Sequence, residues 1–218
     1  TNPLTSHQSP LTFPMRIGIF GGSFDPVHYG HLLLAESCRE QARLDEVWFV
    51  PAAVPPHKQE QELTADKHRV EMLRLAIGGH EPFVLSTLEI ERGGVNFTFQ
   101  TLEAIHGERP EDELFFLMGG DSLRDLPTWR KPERICELAI QLVVQRPDSP
   151  PVNFDSLRDI ASSSRLDQIK QFAVAMPMID LSSTDIRRRA AAGQSIRYRT
   201  TPAVVEYIRS HGLYCDST

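Results

Sequence analysis

The sequence predicts an α/β protein, a doubly wound parallel sheet with helices on both faces and a small helical C-terminal part. Three observations predict it. Short apolar runs alternate with helix-period segments along most of the 218 residues. The longest runs, 114–118 and 138–144 (broken by Gln141), are unbroken enough to be strands buried on both faces. The first run opens through Gly21-Gly22 into a loop that feeds a helix, the place where such a sheet exposes a ligand site.

Taken in order, 16–20 is a strand and 29–43 a helix, with the Gly, Ser and Pro loop between them. Residues 46–50 form a second strand that stops at Pro51, and a Pro-rich loop leads to a helix over 68–78. A strand over 83–87, a helix over 98–106 ended by Gly107, the strand 114–118 and a helix over 131–138 follow. Residues 140–144 read as a fifth strand, 156–171 as a helix and 174–180 as a sixth strand, before an arginine-bearing helix. The last helix is punctuated by Thr201 at the N-cap, Pro202 at its first position and Gly212 beyond its end. Residues 15–218 read as one domain, with 181–218 as the helical C-terminal part. Residues 1–14 have neither the basic start nor the apolar run of a secretory signal and read as a mobile lead-in, native or left by cloning.

Composition narrows the function classes. No apolar stretch approaches the roughly 20 residues that span a bilayer, so no membrane association is expected. Cys38, Cys136 and Cys215 are odd in number, far apart and without a Cys-x-x-Cys pair, which points to a reducing, cytoplasmic setting rather than a disulfide framework or zinc site. A net charge of −6 argues against a nucleic-acid binder. Against that background, 181–210 carries six arginines (Arg187, Arg188, Arg189, Arg197, Arg199, Arg209) and two acids, a local excess suited either to a compact polyanion such as a triphosphate or to a solvated helix face.

Two segments carry chemistry. The first reads Gly21-Gly22-Ser23-Phe24-Asp25-Pro26-Val27-His28-Tyr29-Gly30-His31. Its glycines let a backbone approach a ligand, and the helix that follows offers free N–H groups to an anion. His28 and His31, three apart, share a face and can donate to phosphate oxygens where charge grows during transfer. A zinc reading lacks a third ligand nearby; the Gly-x-Gly-x-x-Gly fingerprint and the Walker A loop are both absent. In the second segment, Ser183 and Thr184 are expected to cap the arginine helix, and Arg187, one turn on, to grip phosphate with its planar fork.

Together, Gly-Ser-Phe-Asp-Pro-Val-His-Tyr-Gly-His and Ser-Ser-Thr-Asp-Ile-Arg resemble the His-x-Gly-His nucleotidyltransferase superfamily, and within it the bacterial nicotinate mononucleotide adenylyltransferases. Pro55-Pro56-His57-Lys58, Met118-Gly119-Gly120-Asp121-Ser122-Leu123, Leu126-Pro127-Thr128-Trp129 and Tyr207 to Tyr214 share the likeness, which runs from about Arg16 to Tyr214. The resemblance implies a Rossmann-like fold that joins ATP and nicotinate mononucleotide into the deamido dinucleotide, releasing pyrophosphate, with Mg²⁺ carried on the ATP phosphates. It implies that His28, His31 and Arg187 act on the triphosphate, His31 nearest the reacting phosphate. Gly21, Gly22, Ser23, Phe24, Gly119, Asp121, Ser183 and Thr184 would contact ATP. Lys58 would reach phosphate from its loop, Trp129 would stack on the pyridine ring, and Thr98 with nearby amides would receive the carboxylate.

Three positions depart from the family pattern. Leu181 replaces the usual Ile, Gly120 fills Gly-x-Asp, and Asn96-Phe97 replaces Ser-Tyr before Thr98. These bear on acceptor detail. A phosphopantetheine or cytidylyl sister enzyme, a class I aminoacyl-tRNA synthetase and a non-catalytic nucleotide sensor are the alternatives. The synthetase reading fails on length and on the absent Lys-Met-Ser-Lys-Ser motif. A homo-oligomer is compatible with the sequence, and segments 59–65 and 146–153 are expected to close over ligands.

Overall fold

The computed structural model describes residues 13–54, 63–145 and 153–215. The lead-in up to residue 12, Lys58 with its Pro-Pro-His-Lys stretch and most of the two expected closing segments lie outside the described residues.

All six strands run parallel in the order β3-β2-β1-β4-β5-β6. β1 (Arg16–Gly22) pairs on one side with β2 (Glu46–Pro51) and on the other with β4 (Glu113–Gly119). Beyond β2 lies β3 (Phe83–Leu85), and beyond β4 lie β5 (Ile140–Gln145) and β6 (Ala173–Ala175). The direction of winding therefore reverses between β1 and β4, which opens a crevice at their carboxyl ends. The helices along the chain are α1 (Tyr29–Gln41), α2 (Asp66–Ile77), α3 (Leu88–Arg92), α4 (Thr98–Glu108) and α5 (Gly120–Asp125). They continue with α6 (Pro132–Leu138), α7 (Ser163–Gln171), α8 (Ser183–Ala191) and α9 (Pro202–Ser210).

The sheet is apolar on both faces because helices cover both. Leu114 through Met118 are all buried, as are Ile17, Ile19, Val47, Phe49, Leu142 and Val143. Gly18 in β1 lets a neighbour close in, since a Cβ there would stand 2.6 Å from Leu44 Cδ1.

Several expectations shift. The helix expected to stop at Gly107 runs through it to Glu108, because Phe99, Leu102 and Ile105 bury one face and the Arg109 N–H bonds back to Ile105. The helix expected over 156–171 is two pieces, a 3₁₀ turn at Phe154–Leu157 and then α7. The break falls where the Ser162 hydroxyl accepts from the Arg165 N–H and starts a new helix. β6 is shorter than 174–180. It is the sheet edge, and the side-chain amide of Gln41 both donates to and accepts from the Ala175 backbone, standing in for a further strand. α3 and α5 were not expected, being too short to show a period.

The C-terminal punctuation holds. Thr201 accepts from the Val204 N–H, Pro202 is the first helical residue, and Gly212 turns the chain away at φ 59°.

Candidate active site

Gly21 and Gly22 end β1, and the chain then reverses through Phe24 at φ 47°, a left-handed conformation held by burial of its ring among Phe20, His31 and Phe49. The two histidines that follow are built into the start of α1. His28 is the N-cap. Its Nδ1 accepts the His31 N–H, and His31 Nδ1 accepts the His28 N–H, each at 3.3 Å, while the rings stack at 3.7 Å. Because each Nδ1 is an acceptor, a neutral ring in this arrangement carries its proton on Nε2, a donor for a ligand. Burial lowers the His28 pKa to about 4, so His28 is neutral near pH 7. Gly30 is needed between them, since a Cβ there would lie 3.0 Å from the His28 ring.

The rest of the loop is held by the C-terminal part of the chain. Arg187 Nη1 donates to the Asp25 carbonyl at 2.7 Å, Ser183 Oγ to the Pro26 carbonyl at 2.9 Å, and Thr200 Oγ1 to the Val27 carbonyl at 2.7 Å. The buried carboxylate of Asp25 accepts from Tyr214 Oη at 2.6 Å and from the Thr64 N–H at 3.1 Å. Burial and the Asp25 charge push the Tyr214 phenol up, which keeps it a donor. Arg69, fully buried, donates Nη1 to the Ser23 carbonyl at 2.9 Å and Nε to the Thr64 carbonyl at 3.0 Å, and pairs with Asp66. Asp25, Arg69 and Tyr214 escaped the sequence reading of site roles. The only signal for Arg69 was a cation on the inward face of an amphipathic helix.

These elements wall a cavity of about 900 Å³ at the β1/β4 crevice. Gly21, Gly22, Ser23, Phe24, His28, His31, Thr98, Gly119, Trp129, Ser183, Thr184 and Arg187 all line it. Asp121 does not. α5 begins immediately after β4 and turns this side chain to solvent, where Arg124 pairs with it at 3.2 Å, while Ser122 faces the cavity.

One further expectation is corrected. The cap of α8 is Ser182, whose Oγ accepts from the Asp185 N–H, which frees Ser183 to tie the helix to the first loop. Of the six arginines, Arg187 alone lines the cavity. Arg188 and Arg199 pair with Asp185, Arg209 with Glu206, and Arg189 bonds the Ser195 carbonyl.

The far wall comes from the segment between β3 and α4. Asn96 Nδ2 donates to the Glu89, Gly93 and Gly94 carbonyls, and this sets Phe97 and Thr98 at the start of α4. Glu89 is buried beside the cavity and accepts from Thr101 Oγ1 at 2.6 Å; burial raises its pKa. Trp129 meets Phe116 edge-on. Among the described residues, no group of three His, Cys, Asp or Glu side chains is placed to hold a metal ion. The site thus combines hydrogen-bond donors with aromatic side chains, an arrangement that suits a phosphate chain and a flat ring.

Comparison with known proteins agrees with this picture. The cytidylyltransferase-like family model matches residues 19–189. A probable nicotinate-nucleotide adenylyltransferase of Thermomicrobium roseum is 44% identical over 199 residues, 91% of each chain. One from Roseiflexus is 43% identical, covering 91% of this chain and 97% of its own. Among solved structures, Plasmodium falciparum nicotinic acid mononucleotide adenylyltransferase complexed with NaAD superposes with a TM-score of 0.69 at 20% identity, over 92% of this chain and 97% of that one, a likeness of fold.

Proposed function

The chain belongs to the nicotinate-nucleotide adenylyltransferase family, within the cytidylyltransferase-like proteins, and from this we propose that it transfers the adenylyl group of ATP to nicotinate mononucleotide, releasing pyrophosphate in a step of NAD biosynthesis. The observation that carries the reading is a single cavity lined by the histidine pair and Arg187 together with Trp129 and Thr98.

The acceptor phosphate is already an anion and needs no general base. One of its oxygens attacks the α-phosphorus of ATP in line as the bond to pyrophosphate breaks, so the protein's work is alignment and charge stabilisation. His28 and His31 donate through Nε2 to the phosphates, His31 nearest the reacting one. Arg187, with one nitrogen spent on the loop carbonyl, offers the remainder of its fork to the β and γ phosphates alongside Ser183 and Thr184. Gly21, Gly22, Ser23, Phe24 and Gly119 bring backbone close to the nucleotide. Trp129 stacks on the pyridine and the start of α4 at Thr98 receives its carboxylate. Lys58 adds a cation for phosphate. Mg²⁺ enters on the ATP phosphates as part of the substrate. We place the enzyme in the cytoplasm and treat residues 15–218 as one catalytic unit. The separate, unpaired thiols of Cys38, Cys136 and Cys215 and the one continuous sheet support these readings.

The test is pyrophosphate release from ATP and Mg²⁺ with nicotinate mononucleotide, nicotinamide mononucleotide, phosphopantetheine or no acceptor, in separate reactions. Release that requires nicotinate mononucleotide is expected. Release with none of them, despite ATP binding, overturns the assignment.

A further inference from the structure

The charge at the acceptor end of the cavity has a source outside the motifs. Arg130 lines the wall next to Trp129, and its Cζ sits 4.7 Å from the centroid of the Phe97 ring. That cation–π contact parks the guanidinium beside the first turn of α4, an eleven-residue helix whose positive end lies at that turn. Among the described residues Arg130 has no carboxylate partner, whereas Arg92 is bonded to Asn96 and Arg134 to Glu103 and Glu137. Glu89, an acid that also lines this cavity, is buried and accepts from Thr101 Oγ1, and among the described residues no ion pair joins it to Arg130.

We propose that the Arg130 guanidinium senses the ring substituent of the acceptor and sets the preference for the pyridine carboxylate over the carboxamide. The inference rests on the acceptor reading above. A carboxylate accepts two parallel charge-assisted hydrogen bonds from a guanidinium, while a neutral amide offers one oxygen and no charge. The exposure of Arg130 at the cavity edge lets solvent screen the attraction, so a discrimination of about tenfold is expected rather than several orders of magnitude.

The test measures kcat/KM for nicotinate mononucleotide and for nicotinamide mononucleotide, at saturating ATP and Mg²⁺, in the parent enzyme, Arg130→Met and Arg130→Lys. Methionine keeps an apolar chain on Phe97 and removes the charge; lysine keeps the charge and loses the fork. In Arg130→Met the acid-to-amide ratio should fall about tenfold, mainly through KM for the acid, with Arg130→Lys in between and added salt lowering the parent's ratio. A ratio within about twofold of the parent's overturns the proposal, and an equal loss on both acceptors does so too, because it places Arg130 on the shared phosphate. A parent enzyme that uses neither acceptor removes the underlying function along with it, a result separable from an active parent whose ratio the substitutions leave alone.

Discussion

His28 and His31 cap one another: each Nδ1 accepts the other's backbone N–H at 3.3 Å, and the rings stack at 3.7 Å. A helix start ordinarily uses Ser, Thr, Asp or Asn for this purpose. Here the two side chains that satisfy the backbone are also the ones proposed to meet phosphate, so the fold sets both ring orientation and tautomer before a ligand arrives. This is preorganisation of the kind that lowers a barrier.

The roles proposed for His31 and Arg187 have different kinetic signatures. His31→Ala should lower kcat by about 100-fold or more while moving the KM for ATP far less, since its interaction strengthens in the transition state. Arg187→Ala should raise the KM for ATP as well, because it also releases the Asp25 carbonyl. Steady-state kinetics against ATP separates the two.

Protonation of His28 bears on stability. Its folded pKa of about 4 lies below the ordinary 6.5, so as pH falls through that window the unfolded chain takes up a proton that the native one refuses, and stability declines. The loss by pH 4 should be roughly 3 kcal/mol. His28→Asn keeps a capping side chain without the ionisation, and Tm measured from pH 7 down to 4 should flatten by that amount relative to the parent.

Glu89 works in the opposite direction. Its pKa is raised by burial, so the native state holds a proton that the unfolded state gives up, and stability falls as pH rises above the ordinary carboxyl range. Glu89→Gln retains an acceptor for Thr101 and cannot ionise. Its Tm relative to the parent should be higher at pH 8 than at pH 4.5, and thermal scans at the two values read the sign directly.

Tyr214→Phe removes the hydroxyl that reaches Asp25 across nearly the whole chain. A buried carboxylate left with one donor fewer should destabilise the protein by about 1–3 kcal/mol. The loosened loop should also reduce kcat/KM for ATP more than for the acceptor. Chemical unfolding together with the two kcat/KM values tests both parts.

Gly21 and Gly30 should respond differently to alanine. At Gly21 a Cβ meets no protein atom within 4 Å, so Gly21→Ala should fold with normal Tm and act only on ATP binding, through steric block in the cavity. At Gly30 it meets the His28 ring at 3.0 Å, so Gly30→Ala should lower kcat by displacing the imidazole, despite alanine's better helix propensity. Tm and kinetics on both variants distinguish them.

Much of this was visible before any coordinates. The apolar runs at Leu114 to Met118 and, broken only by Gln141, Ile140 to Val144 announced strands buried on two faces. The glycines that end β1 announced the loop beyond it, and Thr201-Pro202 with Gly212 marked out α9 within a residue. Those are local signals: period, capping chemistry and backbone freedom act over a few residues and can be read from a few residues. Other features were invisible for a definite reason. α3 and α5 are shorter than two helical turns and show no period, and whether Gly107 ends a helix depends on what its neighbours bury.

The sequence by itself determined the fold class, the position of the glycine-histidine loop and the family motifs, because each is written in contiguous residues. Only the tertiary structure decided what the other five arginines pair with, that Asp121 turns away from the cavity, that Ser183 bonds the loop instead of capping its own helix, and that Asp25, Arg69 and Tyr214 tie the loop together. Tyr214 and Asp25 are 189 positions apart and Ser183 and Pro26 are 157 apart. Whether a charge is buried, paired or offered to a ligand depends on neighbours that distant, and only the packed sheet brings them within a hydrogen bond of one another.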